Sequence, residues 1–423
     1  MTKPGWSRRH VLAAMGATAA GLPLPALAQG TGRVLVLGGG FAGATVARTV
    51  KAAEPRLKVS LVETNPTFTA CPMSNLVIGG WRELSAQQFG YERIRASGIE
   101  VAFATATSVD ADARRVKLDS GATLAYDRLV VAPGVEINWQ GLPGYDEAAA
   151  EIMPHAWKAG AQTLLLRRQL EAMEDGGLVV ISVPANPFRC PPGPYERASL
   201  IANYLKARKP KSKVIILDAK DAFSKQRLFQ EAWRQLYPEH LEWVALSNGG
   251  KVTSVEPGQL RLTTEFQEYR AAVANVIPPQ RAGRLAELAG IADQTGWCPI
   301  DPVTFESRRV PHVHVVGDAT IAGGMPKSAF SANAQAKVCA AAIVRLLAGE
   351  APARPKLINT CYSLVAPDYG ISVAGVYEPV NGVLSEVAGA GGVSPAAAPR
   401  AERAAEAAYA EGWFNTITAE VFG

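Results

Sequence analysis

The sequence predicts an α/β chain of two Rossmann-like, three-layer domains of the dinucleotide-binding type, followed by a C-terminal α+β interface domain. Three observations predict it. A short apolar strand, a glycine turn and a helix follow one another over residues 33–50. A second strand, turn, helix and strand occupy residues 176–220. Beyond about residue 357 the pattern changes to period-two strands and then an alanine-rich helix. At 423 residues the chain has room for two or three domains. The expected boundaries are a leader at 1–28, a first dinucleotide domain at 29–150 and 266–350, a second Rossmann-like domain at 151–265, and the interface domain at 351–423.

Residues 7–12, SRRHVL, carry adjacent arginines ahead of an apolar run that ends in ALA at 26–28. This is the pattern of a twin-arginine signal peptide with a small-residue cleavage site. The run is shorter than the ~20 residues needed to span a bilayer and contains Pro23 and Pro25, so export and removal are expected rather than anchoring. Removal takes away Lys3, Arg8 and Arg9, and the formal charge falls from +5 to +2. That balance excludes a nucleic-acid partner read from charge, and no later apolar run predicts a membrane span. A periplasmic location follows as the expectation. In that oxidising compartment five cysteines make a disulfide plausible, and their odd number leaves at least one sulfur for another use.

In RVLVLGGGFAGATVARTV, Gly38, Gly40 and Gly43 match G-x-G-x-x-G. The first allows the tight turn, the second a close approach of backbone to a pyrophosphate, and the third close helix–strand packing. The helix N-terminus then faces the phosphate charge. A second strand, KVSLVE, ends in Glu63, placed to accept hydrogen bonds from the ribose hydroxyls of an adenosine. YDRLVVAPG, at 126–134, is similar to the strand and turn that close the flavin domain of two-dinucleotide oxidoreductases. VPHVHVVGDAT, at 310–320, places Asp318 after a strand and before the helix-like AFSANAQAKVCAAAIVRLL. It resembles the second FAD fingerprint, where an aspartate holds the ribityl chain and the helix directs its N-terminus at the flavin. Read alone, Asp318 could cap that helix. Three fingerprints in order select FAD over NAD at the first site.

The second module has the outline of the NAD domain of glutathione-reductase-like flavoproteins, but its turn reads PANPFRCPPGPYERASL. Where glycines would admit a pyrophosphate, Arg189, Cys190, Pro191 and Pro192 stand, and prolines offer no N–H donors. NADH is therefore not expected to bind there.

Four stretches, CPMSNLVIGG (71–80), PFRCPPGPYERAS (187–199), TGWCPID (295–301) and NTCYSLVAPDYGISV (359–373), make a more specific case. In this order they resemble the flavoprotein subunit of flavocytochrome c sulfide dehydrogenase, across essentially the whole chain after the leader. The resemblance implies that Cys190 and Cys361 are a redox-active disulfide next to the flavin. It also implies that Cys71 forms a thioether to the flavin's 8α-methyl carbon, although Pro72 stands where the family often has a larger residue. Read from the residues alone, Cys190 and Cys361 could form a structural bridge and Cys71 could be a small buried hydrophobe. Cys298 and Cys339 read as structural.

The chemistry implied is attack of sulfide on the disulfide, with the electrons passing to the flavin and then to a c-type cytochrome subunit. The chain has no C-x-x-C-H, so such a haem would belong to a partner. Glu196, six residues past Cys190, reads as a proton carrier or thiolate-tuning group, or equally as a first-turn acid favourable to the helix dipole. Trp413 and Phe414 read as a flavin cover, a partner contact or core. Two rival functions remain open. A sulfide:quinone oxidoreductase would want an amphipathic membrane contact, whereas Arg400, Glu402, Arg403 and Glu406 make the last helix polar. A non-catalytic flavin-binding subunit could keep every motif.

Overall fold

The computed structural model describes residues 32–423, so the leader expected at 1–28 lies outside the described residues. Strand β1 (Arg33–Leu37) leads through the glycine turn into α1 (Phe41–Ala53) and on to β2 (Lys58–Glu63), with β3 (Glu100–Phe103) and β4 (Arg128–Val131) following. β1 pairs in parallel with β2 and β4, and all four of Val34, Leu35, Val36 and Leu37 are buried. A continuous apolar run of this kind is what a strand covered on both faces requires. α1 buries Ala44, Val46, Ala47 and Val50, small side chains that let the helix lie close to the sheet.

The second sheet holds β5 (Leu178–Val183), β6 (Lys213–Asp218), β7 (Leu241–Val244) and β8 (Val273–Val276), in the parallel order β7-β6-β5-β8. Helix α2 (Gly193–Arg208) links β5 to β6, and α3 (Gln226–Leu236) links β6 to β7. The chain then returns to the first sheet as β9 (Val313–Val315), which completes the order β9-β4-β1-β2-β3. Helix α4 (Ala329–Leu347) packs against α1.

One expected boundary is corrected. The sequence reading places residues 266–350 in the first domain, yet β8 belongs to the second sheet, where Val179 aligns with Val273 and Ser182 with Val276. All four β8 residues are buried, and burial on both faces beside β5 overrides a boundary guessed from chain order. Each module also carries a three-stranded antiparallel meander, within 106–125 and 252–270, that the reading did not anticipate.

The C-terminal domain is a sheet of β10 (Leu357–Ala366), β11 (Tyr369–Val380) and β12 (Val383–Glu386), antiparallel throughout, with α5 (Arg400–Phe422) laid across it. A Cβ on Gly370 would lie 2.4 Å from the Ala407 nitrogen, so this glycine is what lets helix and sheet meet backbone to backbone. The stretch GWFNTITAEVFG continues the alanine-rich helix without a break. Arg403 is buried and paired with Glu406 at 3.1 Å, so these two charges do not form the outward polar face expected of them.

Candidate active site

One cavity of about 940 Å³ runs between the three parts and is lined by every residue assigned to cofactor binding or catalysis from the sequence: Gly38, Gly40, Glu63, Cys71, Cys190, Glu196, Asp318 and Cys361, with Gly43 alone set behind the wall. At the nucleotide end, Gly38 has φ +97°, and a Cβ there would come within 2.4 Å of the Ala132 oxygen. A Cβ on Gly43 would come within 1.9 Å of the Gly38 oxygen, so that glycine is fixed by the turn folding back on the helix. The Glu63 carboxylate accepts from the Gly39 N–H at 2.7 Å and the Asn65 N–H at 3.0 Å, which aims it at the turn and keeps it on the cavity wall.

At the other end Asp318 follows β9. Its Oδ1 is buried and has no hydrogen-bond partner among the described residues, and burial raises its pKa against the pull of Arg189 and Lys327. An orphaned buried carboxylate oxygen on a cavity wall asks for a donor. It does not cap α4: that role belongs to Ser328, whose hydroxyl accepts from the Ser331 N–H at 3.0 Å. Ser328, Ala329 and Phe330 line the cavity, so the N-terminus of α4 opens onto it. A glycine cradle at one end, an unpartnered acceptor and a helix N-terminus at the other, and space for a dinucleotide between them fit FAD.

The cysteine turn is held rigidly. Cys190 has φ +57°, the left-handed region that costs a non-glycine residue about 1–3 kcal/mol and is found where surroundings enforce it. Its N–H donates to the Lys327 carbonyl at 2.8 Å and its carbonyl accepts from the Gly193 N–H at 2.8 Å. The Arg189 N–H donates to Gln280 at 3.0 Å, and the Arg189 guanidinium donates to the Trp157 carbonyl. A Cβ on Gly193 would lie 3.0 Å from the Cys190 sulfur, so this glycine leaves room for it.

Cys361 comes from the middle of β10, and the Asn359 amide donates toward its sulfur at 3.3 Å. All five cysteines are thiols in the structure. Burial, then Glu196 and Cys361, push the Cys190 thiol well above its ordinary pKa. Cys71 precedes the short helix Ser74–Gly79, and its sulfur is 3.7 Å from the Trp157 carbonyl. Cys298 and Cys339 are fully buried.

Glu196 sits within the first turn of α2, slightly further into the helix than expected. Its carboxylate accepts from the Leu364 N–H at 2.8 Å and the Asn75 amide at 2.7 Å, and burial raises its pKa against both bonds. Asn75 in turn accepts from Arg197 at 3.0 Å, and Arg197 also donates to Asn275 and to the His155 and Ala156 carbonyls. This Glu196–Asn75–Arg197 chain joins the first and second modules and went unread in the sequence. Its signals were present as the asparagine of CPMSN and the arginine directly after Glu196. Trp413 lines the cavity and stacks with Phe330 at 6.1 Å, while Phe414 is core.

The second module uses its own carboxylate internally. Asp218, at the end of β6, is fully buried and accepts from the Tyr195 hydroxyl at 2.6 Å, the Trp243 indole at 3.0 Å and Lys220 at 2.5 Å. Tyr195 stacks on Phe223 with ring centroids 3.6 Å apart. A carboxylate so engaged is not offered to a second ribose.

Comparison with known proteins agrees with this geometry. The family model of the central part of the sulfide dehydrogenase [flavocytochrome c] flavoprotein chain matches residues 163–278, that of the flavocytochrome c sulphide dehydrogenase flavin-binding part matches 353–422, and that of pyridine nucleotide-disulphide oxidoreductases matches 32–170. The sulfide dehydrogenase [flavocytochrome c] flavoprotein chain of Chlorobaculum thiosulfatiphilum is 48% identical over 48 residues, 11% of this chain and all of that sequence. The chain belongs to the flavocytochrome c sulfide dehydrogenase flavoprotein family. The family's flavin-binding segment coincides with β10, β11, β12 and α5, the elements that carry Cys361 and Trp413. Mouse mitochondrial sulfide:quinone oxidoreductase is 23% identical over 68% of this chain, and the match spans 65% of the mouse protein. The sulfide:quinone oxidoreductase of Aquifex aeolicus superposes with a TM-score of 0.72 at 20% identity, covering 92% of each chain, and shares the fold of this chain.

Proposed function

We propose that the protein oxidises sulfide with a Cys190–Cys361 disulfide and FAD, and passes the electrons to a c-type cytochrome subunit. The observation that carries this reading is that two cysteines from separate elements, an enforced turn and the middle of a strand, line the same cavity as the dinucleotide fingerprints. A structural staple has no reason to stand in a cofactor cavity. Hydrosulfide attacks one sulfur of the pair; that S–S bond breaks as a new one forms, leaving a persulfide on one cysteine and a thiolate on the other. A second hydrosulfide removes the outer sulfur as hydrodisulfide and leaves the pair as dithiol. When bound, FAD supplies the two-electron acceptor that restores the disulfide and the single-electron steps a cytochrome needs. Gly38, Gly40, Gly43 and Glu63 would hold its adenosine diphosphate, and Asp318 its ribityl chain. Glu196, partly buried behind the pair, holds or releases the proton that follows thiolate formation.

Cys71 is assigned the thioether to the flavin. Under denaturing conditions the purified chain is expected to have the mass of polypeptide plus FAD, falling to the bare polypeptide in Cys71→Ala; a bare mass for the parent defeats the assignment. The expected place of action is the periplasm, in keeping with the arginine pair at Arg8 and Arg9.

The relatives named for quinone favour a second acceptor, so the deciding experiment compares acceptors. Anaerobically reduced holoprotein is expected to be reoxidised rapidly by a c-type cytochrome, and at least roughly a hundredfold more slowly by a short-chain quinone. The reverse order would overturn the cytochrome reading. Among the described residues no helix is long and apolar enough to cross a membrane.

A further inference from the structure

Lys225 is hydrogen-bonded to the backbone of Cys361 and has no place in the chemistry above. It has φ +62° just before α3, a left-handed conformation that a lysine keeps only where its surroundings hold it. Its side chain is buried and reaches from the second module into the C-terminal sheet. Nζ donates to the Cys361 carbonyl at 2.8 Å and to the Ser363 hydroxyl at 2.7 Å, with the Ile371 carbonyl at 3.5 Å. Three acceptors around one nitrogen match the three protons of an ammonium.

The acidic groups facing that ammonium come from every element around it: Cys361 on β10, Glu196 on α2, Cys190 on the turn before α2, and Glu406 on α5. Glu406 is already engaged by Ser372 at 3.0 Å and Arg403 at 3.1 Å, and Glu196 by Leu364 and Asn75. Besides Glu196, which exchanges the proton, the two cysteines are the members of this group whose charge changes in the proposed reaction. Resting on that reading of the pair, we infer that Lys225 is a positioning residue: it supplies the fixed positive charge opposite the sulfur released as thiolate and so makes the Cys190–Cys361 disulfide easier to reduce. Burial makes a thiolate expensive in this cavity, as the raised Cys190 pKa indicates, and a nearby cation is the ordinary remedy. Burial also lowers the Lys225 pKa to about 8, against the pull of the four acidic groups, so the charge is present at neutral pH and fades as pH rises through that value.

The test uses FAD-loaded protein without sulfide. The dithiol–disulfide ratio of the pair is measured in glutathione redox buffers at pH 7 by iodoacetamide trapping and peptide mass spectrometry. In Lys225→Met the equilibrium is expected to move roughly tenfold toward the disulfide, about 30 mV more negative. Thiol alkylation at pH 7 should slow by a similar factor, whereas Lys225→Arg, which keeps the charge, should shift less. If the methionine variant does not retain FAD, Lys225→Gln replaces it. An unchanged ratio and alkylation rate, or equal shifts in the Met and Arg variants, would overturn the charge role and leave a packing role. None of these readouts involves sulfide, so a parent flavin that sulfide fails to bleach would defeat the substrate reading separately.

Discussion

Replacing Cys190 or Cys361 by serine is expected to slow the bleaching of the flavin by sulfide roughly a thousandfold or more, while FAD stays bound. A serine oxygen cannot form the S–S bond that receives the sulfur, and either change removes the whole relay. The double variant is therefore expected to be no slower than either single one, as for residues that act as a unit. Stopped-flow absorbance under nitrogen measures this. Both side chains line the cavity and serine is close to cysteine in size, so the visible spectrum of the variants should stay that of a loaded flavoprotein. Glu196→Gln can accept only one of the two hydrogen bonds, from Leu364 or from Asn75, and cannot carry a proton, so it should slow bleaching roughly a hundredfold. Bleaching at the parent's rate in either serine variant would show that the cysteines only fasten the domains together.

The second large effect lies at the opposite end of the cavity. Gly43→Ala would put a Cβ 1.9 Å from the Gly38 oxygen, a backbone atom that cannot turn aside, so either the turn opens or the helix withdraws from the sheet. The purified variant is expected to carry less than roughly a tenth of the parent's FAD, because the close helix–strand approach is what aims the turn at the pyrophosphate. Gly412→Ala is the control: nothing lies within 4 Å of a Cβ there, in the exposed middle of α5. It should bind FAD as the parent does and gain up to about 1 kcal/mol of stability from helix propensity. Full loading of Gly43→Ala would show that this glycine is not needed for the cradle.

The parts of this site that follow local rules were legible in the sequence. Gly38, Gly40 and Gly43 obey steric limits within a few residues of one another, and Cys190 announced itself by standing where a nucleotide loop needs bare backbone. Glu63 was legible as an acid at a strand end, but its bonds to the Gly39 and Asn65 N–H groups belong to the folded turn. Lys225, Asn75 and Arg197 went unread, because their meaning comes from contacts across 136, 121 and 122 positions that only the tertiary fold creates. The domain boundary failed for a related reason: β8 is an apolar run that would suit either sheet, and its partner β5 lies some ninety residues upstream. Arg403 was misjudged because an arginine in an alanine-rich helix normally faces water, whereas this one is buried against Glu406 and the Pro395 carbonyl.

The most direct test of the sulfur relay is an anaerobic titration of the holoprotein with sulfide, followed by flavin absorbance and by peptide mass spectrometry of acid-quenched samples. One added sulfur atom on the peptide of Cys190 or Cys361 should appear ahead of bleaching, and both signals should vanish when either cysteine is serine. A flavin that remains oxidised in excess sulfide, or one that bleaches without both cysteines, would contradict the account.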